Sequence, residues 1–257
     1  MMIPTDYPQQ VQEHGFAVIE SCLSSAEVSH LRAAVHAAIA ENQDDVSVRD
    51  RGGVYAIRNL TEVVPEIRAL HAHPGVARIV EPILGSSALL VRGLLFDKSE
   101  GANWGIFWHQ DLSIATRARV DVAGFGPWSV KAGIPHVQPP VEVLSSMLTV
   151  RLHLDPCRTE NGALRVFPGS HRAARLSMSA TDELKRTLEP VTCEVDTGGV
   201  LAMRPLLLHS SHRAERPGHR RVIHLEFASG PLPEPLEWHL ADPIGAELGA
   251  EPRTTGG

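Results

Sequence analysis

Arg220-Arg221-Val222-Ile223-His224-Leu225-Glu226-Phe227 has the alternation of a strand with two unlike faces. Side chains in a strand point to opposite sides with a period of two. Arg220, Val222, His224 and Glu226 therefore share one face, and Arg221, Ile223, Leu225 and Phe227 share the other. Thr149, Arg151 and His153 alternate in the same way with Val150, Leu152 and Leu154. Two such strands describe a sheet that lines a site with its polar face and packs on a core with its apolar face.

Outward from these runs, residues 89–96, 163–167 and 200–208 also read as strands, punctuated by Gly, Pro and Asn, and the first two runs extend over 148–155 and 221–227. Earlier in the chain the texture differs. A short strand is expected at 15–20, and Ser24 with Glu27 forms a capping box that opens a helix to about Glu41. A polar stretch follows at 42–53, then helices at 64–71 and 74–83. Helices followed by many short strands, without an internal repeat or a Gly/Ser-rich linker, predict one domain spanning 1–257. In it a helical support (about 1–87) backs a mainly β core (about 88–229) built as a double-stranded β-helix, the cupin-type jelly roll. The proline-rich tail, 230–257, is expected to be loop and partly mobile.

Of 257 residues, 43% are hydrophobic and 21% charged, ordinary values for a globular chain. With 24 basic and 30 acidic residues the net charge is −6, so no global basic field exists to gather a nucleic acid or an anionic membrane. A small-molecule partner is expected, and no obligate protein partner is evident. Cys22, Cys157 and Cys193 are spaced neither as a zinc motif nor as a disulfide framework, which suits a reducing cytoplasm. The opening MMIPTDYPQQ lacks the basic and apolar regions of a secretory leader, and no apolar run is long enough to span a bilayer.

His-x-Asp/Glu occurs three times, at His109/Asp111, His153/Asp155 and His224/Glu226, against about 1.6 occurrences expected by chance from the composition, so further features must choose among them. The first pair sits among bulky aromatics in Trp104-Gly-Ile-Phe-Trp108-His109-Gln110-Asp111. His209 comes 100 residues after His109, and Arg220 eleven residues after that. Two imidazoles and a carboxylate on one side of a metal leave three positions open, the facial triad of non-haem Fe(II) oxygenases. An α-keto acid chelating two open positions leaves one for O2, and its distal carboxylate calls for a planar, permanently charged partner such as Arg220. Arg151 and His153 are further candidates for anion or substrate contact. The rival triad His153, Asp155 and His209 is weaker, because Asp155 precedes Pro156 and reads as a strand end.

His109-Gln110-Asp111, Asn161-Gly162 through Pro168-Gly169-Ser170-His171, and His209-Ser-Ser211 followed by Arg220 resemble the phytanoyl-CoA dioxygenase family of Fe(II)/2-oxoglutarate-dependent oxygenases. The likeness runs from about Gly15 to Ser229. It implies that His109, Asp111 and His209 hold iron, that Arg220 holds the C5 carboxylate of 2-oxoglutarate, and that Ser211 supports that carboxylate. It further implies O2-dependent hydroxylation of an unactivated C–H with release of succinate and CO2. Related halogenases replace the carboxylate ligand by a small residue, so Asp111 favours hydroxylation; desaturation or ring formation would use the same residues. His171 is expected to pack rather than bind.

Substrate contacts are less specified. Arg92, a charge inside an apolar strand, must be paired or solvated; His224 follows Arg220 on one face; Trp128, His136 and Gln138 lie in a segment longer than in the family's acyl-CoA-acting member. Lys98 is expected in a solvated loop. A different class of reading keeps the same three ligands in a non-redox cupin-like module holding Zn or Ni. Arg220 separates the two, since such a module has no need of a carboxylate clamp.

Overall fold

In the computed structural model, residues 6–42, 45, 47–50 and 54–245 are described. Their strands, in chain order, are β1 (Phe16–Ile19), β2 (Val48–Asp50), β3 (Val54–Ile57), β4 (Leu89–Phe96), β5 (Ile106–His109), β6 (Ile114–Ala115), β7 (Trp128–Lys131) and β8 (Ile134–Val137). There follow β9 (Met147–His153), β10 (Leu164–Val166), β11 (Val191–Cys193), β12 (Val200–Met203), β13 (His209–Ser211), β14 (Val222–Ala228) and β15 (Asp242–Pro243). One large sheet has the order β1-β12-β9-β14-β4-β3-β2, with β15 added beside β4; a four-stranded sheet has the order β11-β10-β13-β5; and β6-β8-β7 form a small outer sheet. The two larger sheets are the halves of the expected jelly roll.

The helix Ser25–Glu41 is opened by the reciprocal Ser24–Glu27 box, with the Glu27 backbone N–H donating to Ser24 Oγ and the Ser24 N–H to the Glu27 carboxylate. Its Val28, Leu31 and Val35 join Val76, Ile79 and Val80 of the helix Pro74–Leu84 in one buried cluster with Val150, Leu152, Ile223, Leu225 and Phe227 of the large sheet. The apolar face read from the sequence thus carries the helices. Arg92, Arg151, His224 and Glu226 point the other way, toward the four-stranded sheet. In register, Ile223 pairs Leu152 and Leu95, and His224 pairs Arg151 and Leu94, which keeps each face uniform across three strands.

Several boundaries differ from expectation. The run 200–208 is not one strand: β12 ends at Met203, Arg204 and Pro205 turn the chain, and His209 opens a new strand in the other sheet. Pro205 cannot donate to a ladder, so it marks the break. The N-terminal third also contributes an antiparallel β2–β3 pair that extends the large sheet, with β2 falling in the stretch expected only to be polar. The 64–71 helix is broken into short pieces, Leu60–Val63, Pro65–Arg68 and a 3-10 turn Ala69–Ala72, because Pro65 cannot continue the preceding turn. Within the tail, Leu232, Leu236 and Trp238 are buried against Ile114, Val137 and Met147, so 230–245 is packed; residues 246–257 lie outside the described part.

Candidate metal and anion site

His109 and His209 face each other across the β5–β13 ladder, directly paired in register, with ring centroids 4.1 Å apart. Asp111 lies two residues beyond His109, its backbone N–H donating to Pro205 O at 2.9 Å. Its carboxylate sits 3.8 Å from each imidazole Nε2, through Oδ1 to His109 and through Oδ2 to His209. That distance is too long for a hydrogen bond, and Asp111 Oδ2 is buried without a partner. All three donor atoms lie within 4.8 Å of one another.

Each histidine is oriented by its other nitrogen: His109 Nδ1 lies 2.9 Å from Phe107 O and His209 Nδ1 2.8 Å from Leu207 O. A carbonyl accepts only from a protonated nitrogen, so Nδ1 carries a hydrogen in each ring and Nε2 is the atom left to offer a lone pair. Burial pushes the His209 imidazole down to about 4, against the attraction of Asp111. Burial also raises Asp111, but the imidazoles of His209, His224 and His109 and the Arg151 guanidinium outweigh it and hold the carboxyl at about 2. At neutral pH the set therefore comprises an ionised carboxylate and a neutral His209, the forms a metal ion binds. An orphaned carboxylate oxygen facing two free lone pairs fits a divalent cation. Gln110 braces this arrangement, donating to Ala174 O and Leu206 O and accepting from Leu176 N–H.

Beside the triad lies a small cavity of about 40 Å³, lined by Arg151, Ser211, Arg220 and His224 together with the three acidic and imidazole ligands. Arg220 is 2% exposed, and its partners are Gly162 O and, weakly, Cys157 Sγ. Arg151 is 6% exposed, with Nη1 2.8 Å from His224 Nδ1 and its cation over the Phe96 ring. Neither guanidinium pairs with a carboxylate among the described residues, and Nε of each is buried without a partner. Burial, then the neighbouring Arg220 charge, pushes Arg151 down to about 10. Two buried, unneutralised guanidiniums call for an anion.

A third cation joins them. Lys98, expected in a solvated loop, is 1% exposed, with Nζ 3.1 Å from Ser211 Oγ and 3.4 Å from Gly162 O. No local signal exposes it: the residue follows β4 after Asp97, and only the tertiary approach of the 211–212 and 162 backbone encloses it. Burial and the Arg220 charge bring Lys98 down to about 7. Its folded value lies below the unfolded 10.5, so the folded state holds fewer protons between the two. Stability of the metal-free protein is expected to rise as pH increases from 7 toward 10, at up to about 1.4 kcal/mol per pH unit from this group. Denaturant unfolding at pH 7 and pH 9 checks it: the Lys98→Met variant should lose this slope and be the more stable protein at pH 7. An identical slope in both would refute the assignment.

A larger cavity of about 610 Å³ opens on the other side of Asp111, sharing Phe96, Trp104, Ile106, Asp111 and His224 with the small one. Arg92 and His224 line it; Arg92 is paired with Glu226 at 3.1 Å. Trp128, His136, Gln138 and His153 line neither cavity. Trp128 sits on the outer sheet beneath Arg119, His136 and His153 are buried, and Gln138 is half-buried with its backbone paired to Gly126 and Pro127. Asp155 is held by Arg221 and Arg32, away from the triad. His171 packs against the first helix region, its Nε2 3.1 Å from Gln12 O.

The family profile described as phytanoyl-CoA dioxygenase (PhyH) matches residues 11–222. An ectoine dioxygenase of Nocardia farcinica (strain IFM 10152) is 27% identical over 175 residues, 65% of this chain; the chain spans about half, 51%, of that protein's length. Among solved structures, EctD from S. alaskensis with 2-oxoglutarate and 5-hydroxyectoine has a TM-score of 0.73 at 19% identity, covering 95% of this chain and 87% of that one. The non-heme alpha ketoglutarate dependent carbocyclase SnoK from nogalamycin biosynthesis has a TM-score of 0.67 at 18% identity, covering 87% and 83%. At these identities the structures establish the fold.

Proposed function

The chain belongs to the phytanoyl-CoA dioxygenase family, and from that premise we propose that it is an Fe(II)- and 2-oxoglutarate-dependent hydroxylase of a small or medium organic metabolite. The observation that carries the reading is the adjacency of the His109, Asp111 and His209 donors to the buried, unpaired Arg151 and Arg220. A metal alone explains the first group. Only a metal with an anionic co-ligand explains both, and 2-oxoglutarate is a dianion with a carboxylate at each end.

In this reading His109, Asp111 and His209 hold the iron, with Phe107 O and Leu207 O fixing the two ring orientations. Arg220 receives the distal carboxylate, with Arg151, Lys98 and Ser211 beside it. Iron held there with 2-oxoglutarate would supply O2 activation, with one oxygen atom ending in succinate as CO2 is lost and the other in the hydroxylated product. Phe96, Trp104 and Ile106 form a wall common to both cavities, keeping water from the space beside the ligands. Asp111 fills the position a halide would need, which supports hydroxylation over halogenation.

One apolar cluster spans the helices and the large sheet, which supports a single domain. Cys22, Cys157 and Cys193 are buried and unpaired, which supports a reducing, cytoplasmic location. No helix among the described residues is long and apolar enough to cross a membrane.

The test is anaerobic. Fe(II) followed by 2-oxoglutarate should produce the weak visible charge-transfer band of an iron-bound α-keto acid, and later admission of O2 should release succinate. Iron bound without the band would overturn the reading in favour of a non-redox metal-binding module.

A further inference from the structure

The 610 Å³ cavity, of a size suited to small organic ligands, carries a charge pattern opposite to that of the whole chain. The chain is net −6, yet Arg49, Arg58, Arg92, Lys131 and Arg213 line this one space against Asp111 and Glu226. Asp111 belongs to the triad and Glu226 is already paired with Arg92. Among the described residues no carboxylate pairs with Arg49, Arg58, Lys131 or Arg213; Lys131 Nζ donates only to Ser113 Oγ, at 2.6 Å. Arg58 Nε is buried and has no partner at all.

These cations come from three separate regions of the chain: Arg49 from β2 and Arg58 from just past its paired strand β3, Arg92 from β4 and Lys131 from β7. The fold ties the Arg58 and Lys131 segments together, Asn59 Nδ2 donating to Ala132 O at 3.2 Å. Convergence has an energetic cost. Burial and then the charges of Arg92 and Arg49 lower the Arg58 pKa, and burial with Arg92 and Arg58 lowers that of Lys131. Like charges gathered in a partly dry space without counter-ions destabilise a fold unless an anion completes them.

The cavity is also polarised along its length. The apolar Phe96, Trp104 and Ile106 belong, with Asp111 and His224, to the part shared with the triad's small cavity, whereas the cations Arg49, Arg58, Arg92 and Lys131 line only the larger one. We propose that the substrate is an organic anion bearing a phosphate or carboxylate group, seated among Arg49, Arg58 and Lys131, with its apolar portion against Phe96, Trp104 and Ile106. The C–H presented to the iron then lies on the apolar end, away from the charged group. This rests on the oxygenase reading for the word substrate, but not for the binding.

The experiment uses the full chain, anaerobic, with Fe(II) and saturating 2-oxoglutarate so that the smaller anion site is filled. Phenyl phosphate, benzoate, benzyl alcohol and benzylammonium are titrated by calorimetry. Phenyl phosphate or benzoate should bind at least about tenfold more tightly than the neutral and cationic probes, with the tighter of the two naming the anionic group. Arg58→Gln and Lys131→Gln should each weaken the preferred anion about tenfold while leaving benzyl alcohol binding unchanged. Equal binding of all four probes, no binding of either anion at millimolar concentration, or anion binding indifferent to both substitutions would overturn the proposal. If the charge-transfer band never forms but the anion preference and its loss in the variants persist, the oxygenase reading fails and the anion site stands.

Discussion

Replacing Asp111 by alanine is expected to abolish stoichiometric Fe(II) binding. The carboxylate is the only anionic donor in the set, and its Oδ2 is buried with no other partner. Loss of even an outer group that orients a metal ligand costs about 10- to 100-fold in affinity, so loss of the ligand itself should exceed about 100-fold. His109→Ala should behave alike, because His109 and His209 are opposed in one ladder and each supplies one of the three clustered donor atoms. Metal content after anaerobic loading and gel filtration is the measurement. Full iron occupancy in both variants would mean that the ion sits elsewhere. The fold should survive in each, since Asp111 and His109 are only half-buried and the helix-backed core lies on the far side of the large sheet.

Arg220→Ala separates cosubstrate from metal. Removing one partner of a buried ion pair costs about 3–5 kcal/mol, which is roughly 10²- to 10⁴-fold in the 2-oxoglutarate concentration that half-saturates the charge-transfer band. Iron content should be unchanged, because Arg220 shares the small cavity with the ligands without bonding any of them. An Arg220→Ala protein that takes up 2-oxoglutarate normally would transfer the anchoring role to Arg151, the other unneutralised guanidinium.

What the sequence disclosed follows from the range of the interaction responsible. The alternation around Arg220 and Thr149 identified the two central strands of the large sheet and the correct inward face of each, because period-two patterning is a local consequence of one-sided burial. The Ser24–Glu27 box is local too, and the helix begins there. His109, Asp111 and His209 were legible as an ordered set. That His109 and His209 sit opposite one another depends on the β5–β13 register, which no short window encodes. The 200–208 run misled because, apart from the half-buried Arg204, its strand and turn residues are all buried, which erases periodicity. Arg92 stood out as a charge inside an apolar strand, but Lys98 and the other cations of the larger cavity were illegible for the same reason in reverse: Arg58 and Lys131 look like ordinary surface charges in their own segments, and only the closing of the sheets brings them together.

β5 is the edge strand of its sheet, paired on one side to β13 alone, and Phe107 on it stands 95% exposed. Edge strands are the parts of a sheet that open most readily. An ion shared by His109 and His209 would therefore staple a loose border strand to an interior one, and every unit of metal binding energy would appear as resistance to local opening. Demetallation then has a mechanical signature: amide protons of residues 106–109 should exchange faster, and proteases that cleave at aromatic residues should find Phe107. Loss of the ion and fraying of this border are one equilibrium, so iron scarcity would leave a chain open to degradation at the strand that carries its first ligand.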